Sequence, residues 1–324
     1  MIGGLIRVGV SLALLAFLAW WLDTAVVLDR LASFDPWWAL VAVAISLPQM
    51  ALLAFRWRFT AAKIGLDLPF GSALREYYLA TFLNQVLPGG VLGDVSRAWR
   101  HGSAEAESRI GPAASAVILE RASGQVVMAG VAVLSFASLP FAYSAAPASM
   151  ALAIGGVGVA AGATVLAFRR RSRTGLLADF GRDIRAALLA RDALPVQLVS
   201  STLVVGTYLA IYIVAARAVG VTTPMWTLLP LVTPVLLSML IPATVAGWGV
   251  REATAAALWG AVGLTAADGV AISAAYGILV LVSSLPGAFV LLSSGRGRRG
   301  GRLPEARVDT GHAEPDPGSR SRAG

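Results

Sequence analysis

Two short stretches decide how this chain folds: Pro88-Gly89-Gly90-Val91-Leu92-Gly93-Asp94-Val95-Ser96-Arg97 and Pro242-Ala243-Thr244-Val245-Ala246-Gly247-Trp248-Gly249-Val250-Arg251. Both read Pro-x-x-Val-x-Gly-x-x-x-Arg, and they lie 154 residues apart. Each interrupts an apolar run, the first covering 74–100 and the second 223–261. Proline removes a helical hydrogen bond, and glycine lets the backbone leave the helix. At membrane depth such backbone survives only where protein or a wet cavity shields it.

The rest of the chain puts these breaks inside a membrane. Of its 324 residues, 57% are hydrophobic and 14% charged, against roughly a quarter charged in soluble domains. The mean hydropathy is +0.73. A soluble globular enzyme of this composition would expose large apolar patches. There is no cysteine, which excludes disulfides, thiolate metal sites and thiol nucleophiles. Two histidines, His101 and His312, leave too few ligands for an ordinary transition-metal site, and no cofactor is expected. Six stretches have the roughly 20 apolar residues that a bilayer core requires: 5–22, 37–55, 113–139, 149–168, 196–216 and 268–292. The first runs on into Trp20 and Trp21 with no small-x-small cleavage pattern, so it reads as an uncleaved helix.

The formal charge is +8, carried by Arg with Lys63 as the single Lys. With a cytoplasmic N-terminus, six crossings and both broken stretches re-entrant, 22 of the 26 basic residues fall inside the cell. Arg30, Arg217 and Arg251 fall outside, and Arg121 lies within a span. That asymmetry is the positive-inside pattern. The basic excess therefore reports orientation in a cell membrane, with both termini cytoplasmic, and nucleic-acid binding loses its support. Trp20, Trp21, Trp37, Trp38 and Trp226 fall at the outer interface, as an aromatic belt does. Between the halves, Leu176, Phe180, Ile184 and Leu188 recur every four residues after an Arg-rich run, the pattern of an amphipathic helix at the inner surface. The tail, 295–324, is rich in Gly, Arg, Pro and Ser and is expected to be disordered.

Shifting 37–55 by 154 gives 191–209, beside the fifth stretch. Shifting 113–139 gives 267–293, almost on the sixth. Each half thus reads span, span, broken hairpin, span, with repeat A at about 1–142 and repeat B at about 146–294. Three crossings per half turn the second repeat upside down, so the two Pro/Gly tips are expected to meet near the midplane. The expected fold is an all-α polytopic membrane protein of about six full helices plus two broken re-entrant hairpins in an inverted repeat, a recurrent transporter plan.

Charges at membrane depth cost roughly 2.5–3.5 kcal/mol each on insertion scales, so they are candidates for function. Glu120 and Arg121 sit inside the third span. As helix neighbours they point about 100° apart, so each needs another partner, for which Arg97, Asp94 and Arg251 are candidates. Arg97 and Arg251 occupy equivalent places on the two hairpins, and guanidinium suits phosphate. Arg97 is expected to hold an anionic headgroup from the cytoplasmic side and Arg251 from the outer side. A half-helix starting near Gly249, with no acid capping it, would present free N–H groups to the same anion. Asp94 is expected to cap the other half-helix, and Asp268 to cap the last span. Asn84 and Gln85 either line the site or satisfy freed carbonyls. Pro88, Gly89, Gly93, Pro242, Gly247 and Gly249 form the breaks, and Glu252 partly compensates Arg251.

These residues resemble a known family. Asn84-Gln85-Val-Leu-Pro88-Gly89-Gly-Val-Leu-Gly93-Asp94-Val-Ser-Arg97-Ala, then Leu119-Glu120-Arg121, then Pro242-x4-Gly247-Trp-Gly249-Val-Arg251-Glu252 are similar to the lysylphosphatidylglycerol synthase transmembrane-region family, the flippase-like membrane proteins. The likeness covers about residues 1–294. Asp94 stands where the pattern carries Glu, one methylene longer. The resemblance implies a lipid translocase for an anionic phospholipid or a polyprenyl-type lipid-linked precursor. The alternative is a non-transporting partner of a membrane glycosyltransferase or lipid synthase, docking through the Arg-rich segments. The soluble transferase domain of fused relatives has no counterpart here, so the chain is expected to be a stand-alone member and not an enzyme. An intramembrane lipid-modifying enzyme using Glu120 ranks last, because no second deep carboxylate, His or Cys accompanies it.

Overall fold

The computed structural model describes residues 2–22, 24–88, 90–104, 109–137, 176–239 and 244–297. The expected fourth span, the Arg169–Arg173 run, the tail beyond 297, and the site candidates Gly89 and Pro242 lie outside them. The described residues form helices joined by turns: α1 (Ile2–Trp21), α2 (Thr24–Ala32), α3 (Pro36–Lys63), α4 (Phe70–Val86), α5 (Leu92–Ala104), α6 (Ile110–Ala137), α7 (Leu176–Ile184), α8 (Leu194–Ala218), α9 (Met225–Ser238), α10 (Val250–Ala261), α11 (Ala266–Ser284) and α12 (Pro286–Gly297). A π-helical turn, Arg185–Leu189, follows α7.

Among the described residues α3, α6, α8 and α11 are each long and apolar enough to cross a bilayer, and α1 with α2 passes the same test only as a pair bent by 103°, a broken span or a re-entrant loop. Trp20, Trp37, Trp226, Leu134 and Phe289 all expose well over half of their surface. On a chain of such helices this is the arrangement of a lipid-facing exterior. The chain is therefore a multi-pass membrane protein.

Both broken stretches are helical hairpins. The first is α4–turn–α5, the second α9–turn–α10. Their arms have 17, 13, 14 and 12 residues, each short of a full crossing. The tips meet: Pro88 and Val245 pair as an antiparallel bridge. In the first hairpin the arms cross closely at Gly93, where a Cβ would lie 2.0 Å from the Ala80 carbonyl oxygen. In the second, Ala246, Gly247 and Gly249 have φ of 49°, 81° and 91°, left-handed values that allow the sharp entry into α10.

The long helices α3 and α8 pack against each other and run antiparallel, as two polar ties record. Gln49 donates from Nε2 to Thr207 Oγ1 at 2.8 Å, and Gln197 Nε2 donates to Thr60 Oγ1 at 2.9 Å. Moving forward along α3 moves backward along α8. The buried core divides accordingly. One cluster centres on Trp57 and Tyr77, within α3–α6, and a larger one on Tyr212, Trp259 and Tyr276, around α8–α11.

One expectation for the spans is corrected, and another is extended. α3 contains the expected span 37–55 and runs on to Lys63, with Arg56 buried against Glu120. The expected span 268–292 is broken at Leu285. Pro286 cannot continue the hydrogen-bond ladder, and the new helix α12 folds onto α4 so tightly that a Cβ on Gly287 would lie 2.2 Å from the Tyr78 carbonyl oxygen.

Candidate functional site

The first hairpin carries a buried ionic cluster. Glu120, on α6, is 1% exposed and accepts from Arg97 Nη2 at 2.8 Å. Its second carboxylate oxygen lies 3.0 Å from Arg56 Nη2. The Arg56 guanidinium also reaches the Glu120 carbonyl and, at 3.0 Å, the Ser123 hydroxyl. The Tyr77 hydroxyl adds contacts of 3.2 and 3.3 Å to the same carboxylate. The face of Arg97 rests on the rings of Tyr77 and Trp57, 4.4 and 4.8 Å from their centroids, which suits a weakly hydrated guanidinium in a dry setting.

Asp94 joins this cluster to a cavity. It accepts from Arg97 Nε at 3.0 Å and from Arg121 Nη2 at 2.9 Å. Asn84 donates to it at 3.2 Å and accepts from the Gly93 N–H at 2.7 Å. Asn84, on the facing helix, therefore caps the start of α5, the role expected of Asp94. The side chain of Arg121 is 36% exposed, that of Asp94 14%, and those of Arg97 and Glu120 are sealed.

The second hairpin holds a smaller cluster. Arg251 Nη2 donates to Glu252 Oε1 at 2.7 Å, and its Nε to the Ser273 hydroxyl at 2.8 Å. Ser273 donates on to Glu252 Oε1 at 3.0 Å. The other carboxylate oxygen accepts the Gly249 N–H at 2.7 Å. Here the expectation of an uncapped half-helix is overturned: Glu252, three residues on, supplies the acid that satisfies its first free N–H. Arg251 is flanked by the rings of Trp248 and Tyr276. Each cluster leans on a glycine of the facing long helix. A Cβ on Gly124 would lie 3.0 Å from Arg56 Nη2, and one on Gly277 only 2.4 Å from Arg251 Nη2.

Between the tips lies a cavity of about 340 Å³, within the usual range for small-molecule sites. Gly90, Val91 and Asp94 come from the first hairpin, Thr244, Ala246 and Gly247 from the second, and Arg121, Gln125, Tyr208 and Tyr276 from the long helices. Of the site candidates, Asn84, Gln85, Asp94, Arg121 and Gly247 line it. Arg97, Glu120, Arg251 and Glu252 do not. Their charges are turned inward: Arg97 ties α5 to α6 through Glu120, and Arg251 ties α10 to α11 through Ser273, so neither of the arginines expected to grip a headgroup reaches the cavity. Pro88 makes the tip contact. Asp268 pairs with Arg30 at 2.8 Å, so no cap is seen there. Among the described residues no group of His, Asp and Glu is placed to hold a metal ion.

Sequence reading missed Arg56, Tyr77, Gly124, Gln125, Tyr208, Ser273 and Gly277. The burial of Arg56 and Arg97 also takes two charges out of the inner-side count, and that of Arg251 takes one from the outer. The Gly249-x-x-Glu252 spacing was a usable signal for the capped helix.

Neither a curated protein nor a solved structure matches the chain significantly. The family model described as the lysylphosphatidylglycerol synthase TM region matches residues 4–287. That span takes in both hairpins, both ionic clusters and the cavity between them, and the chain belongs to the lysylphosphatidylglycerol synthase transmembrane-region family.

Proposed function

We propose that this chain is a lipid translocase that passes a headgroup between leaflets through the cavity at the hairpin tips. The observation that carries the reading is the cavity itself. Its largely apolar wall carries a set of polar side chains (Asn84, Gln85, Asp94, Arg121 and Gln125), it is walled by both hairpins, and it sits where their tips abut. Irregular backbone within an apolar bundle is shielded by protein or by a wet cavity, and here the tips border a cavity. A headgroup would use that cavity while its acyl chains stay in lipid.

The inverted-repeat plan supports the same reading. Moved by 154, the bounds of α3, α4, α5 and α6 become 190–217, 224–240, 246–258 and 264–291. The second half has α8, α9, α10 and α11 at 194–218, 225–238, 250–261 and 266–284. The antiparallel course of α3 and α8, one the counterpart of the other, is the relation that an inverted repeat requires. Rocking of one half against the other about the tip contact would open the cavity to each side in turn.

The test is a proteoliposome assay of transbilayer movement with fluorescently labelled phosphatidylglycerol. Acceleration over protein-free vesicles is the expected result. Folded protein in sealed vesicles that leaves the rate unchanged overturns the reading. Because the native chain has no cysteine, single-Cys labelling checks the orientation directly: a cysteine at Thr222 should react from outside and one at Ser172 from inside.

A further inference from the structure

We infer that the cavity is built for a group bearing one net negative charge of the phosphate type, with Arg121 as the residue that grips it and Asp94 as the internal anion that holds Arg121 in the meantime. The inference rests on the translocase reading for its biological meaning, but the binding step stands on charge and geometry.

The first cluster is not neutral. Among the described residues Arg56, Arg97 and Arg121 meet two acids, Asp94 and Glu120. Glu120 is shared between Arg56 and Arg97, and Asp94 between Arg97 and Arg121. One positive charge is left over in the cluster as a whole; at the cavity wall its cation is Arg121, standing beside Asp94. The second cluster shows the balanced alternative: one arginine, one glutamate and one serine, closed on themselves. Of the three arginines Arg121 is the one whose side chain is part-exposed, at 36%, so an anion entering the cavity reaches it and completes the charge of the cluster.

The neutral groups around the cavity point the same way. The Thr244 hydroxyl is buried with no partner among the described residues. The side-chain amides of Gln85 and Gln125, also in the wall, make no hydrogen bond among those residues either. A hydroxyl and two amides supply donors around one guanidinium, the combination that recognises a phosphate oxygen set. Asp94 limits the grip. Each bond it keeps with Arg121 competes with the ligand, so the anion is held firmly enough to enter and weakly enough to leave.

The proposal is tested by binding, independently of transport. Purified protein in detergent is titrated with dioctanoyl phosphatidylglycerol, dioctanoyl phosphatidylcholine, glycerol 3-phosphate and inorganic phosphate, read by thermal unfolding and by isothermal calorimetry. Phosphatidylglycerol should bind at least tenfold more tightly than phosphatidylcholine. R121Q should weaken it by roughly ten- to a hundredfold, the loss of one charge-assisted contact. D94N, which frees Arg121 and raises the site charge, should tighten it. Q125L, a milder change at a neutral donor, should weaken it a few-fold and guards against misfolding of R121Q. Binding of inorganic phosphate or glycerol 3-phosphate as tight as that of the lipid assigns the site to a soluble anion and removes its lipid part. Equal affinity for both lipids, or D94N and R121Q weakening binding alike, overturns the proposal. Should binding follow this pattern while transbilayer movement fails, the site stands and the translocase reading falls. Transport that proceeds with no charge-selective binding leaves the translocase reading in place and overturns the site.

Discussion

The two hairpins begin from the same ten-residue pattern and end with opposite electrostatics. In the first, Arg97 shares its neighbours with two more arginines and two acids spread over α3, α5 and α6, and the assembly opens onto the cavity. In the second, Arg251 is answered by the next residue along the chain and by one serine, and nothing faces outward. The sequence motif thus specifies a shape, a kinked arm with a buried arginine. What that arginine does is decided by residues outside the motif. One hairpin closes its charges within the fold, and the other brings part of its cluster to the cavity wall.

Removing acids and bases in turn gives the sharpest way to break this comparison. E120Q strands Arg56 and leaves Arg97 with Asp94 alone, and R251M strands Glu252. Each should lower stability by about 3–5 kcal/mol, the cost of leaving a buried charge unpaired. R56M instead brings the first cluster to two positive and two negative charges and should cost less than half as much. Thermal midpoints of the purified variants check the ranking, and an R56M loss equal to that of R251M would show that charge balance does not separate the two sites.

Packing offers a second contrast. G277A pushes a methyl group against Arg251 and Trp248, with contacts of 2.4 and 2.8 Å, and should cost about 1–3 kcal/mol. G124A meets only the tip of Arg56, at 3.0 Å, and should cost under about 1 kcal/mol. The same melting series reads both. The smallest effect is expected at the tips. The first turn uses Gly90 at φ 62°, whereas the second places Ala246 at φ 49°. Replacing Ala246 by Gly relieves a left-handed alanine, worth about 1 kcal/mol, partly offset by the greater freedom of the unfolded chain. A midpoint raised by a degree or two is expected, and a fall would mean that Ala246 packs better than its backbone suggests.

The helical membrane architecture, the two breaks and the pairing of Glu120 and Arg121 with separate partners were legible from apolar runs and from the cost of intramembrane charge. Arg56 was hidden because it ends an apolar stretch, where an arginine ordinarily snorkels to the headgroups. Only the fold reveals that Glu120, 64 positions away, draws it inward. Tyr77 and Tyr276 drew no reading, since nothing in one sequence says which ring lies under a guanidinium. The cavity was least legible. Its wall takes Gln125, Tyr208 and Thr244 from three separate segments, and their shared surroundings exist only once the tips have met.

One consequence concerns synthesis. Arg251 has Glu252 at its side as soon as both leave the ribosome, so the second hairpin is delivered to the membrane with its charge already answered. Arg97 has Asp94 three residues before it but must wait 23 residues for Glu120, while Arg56 waits 64. Until α6 arrives, Arg56 is without the carboxylate that buries it. The segment before α6 therefore has reason to linger at the aqueous mouth of the insertion machinery and to enter the bilayer together with that helix.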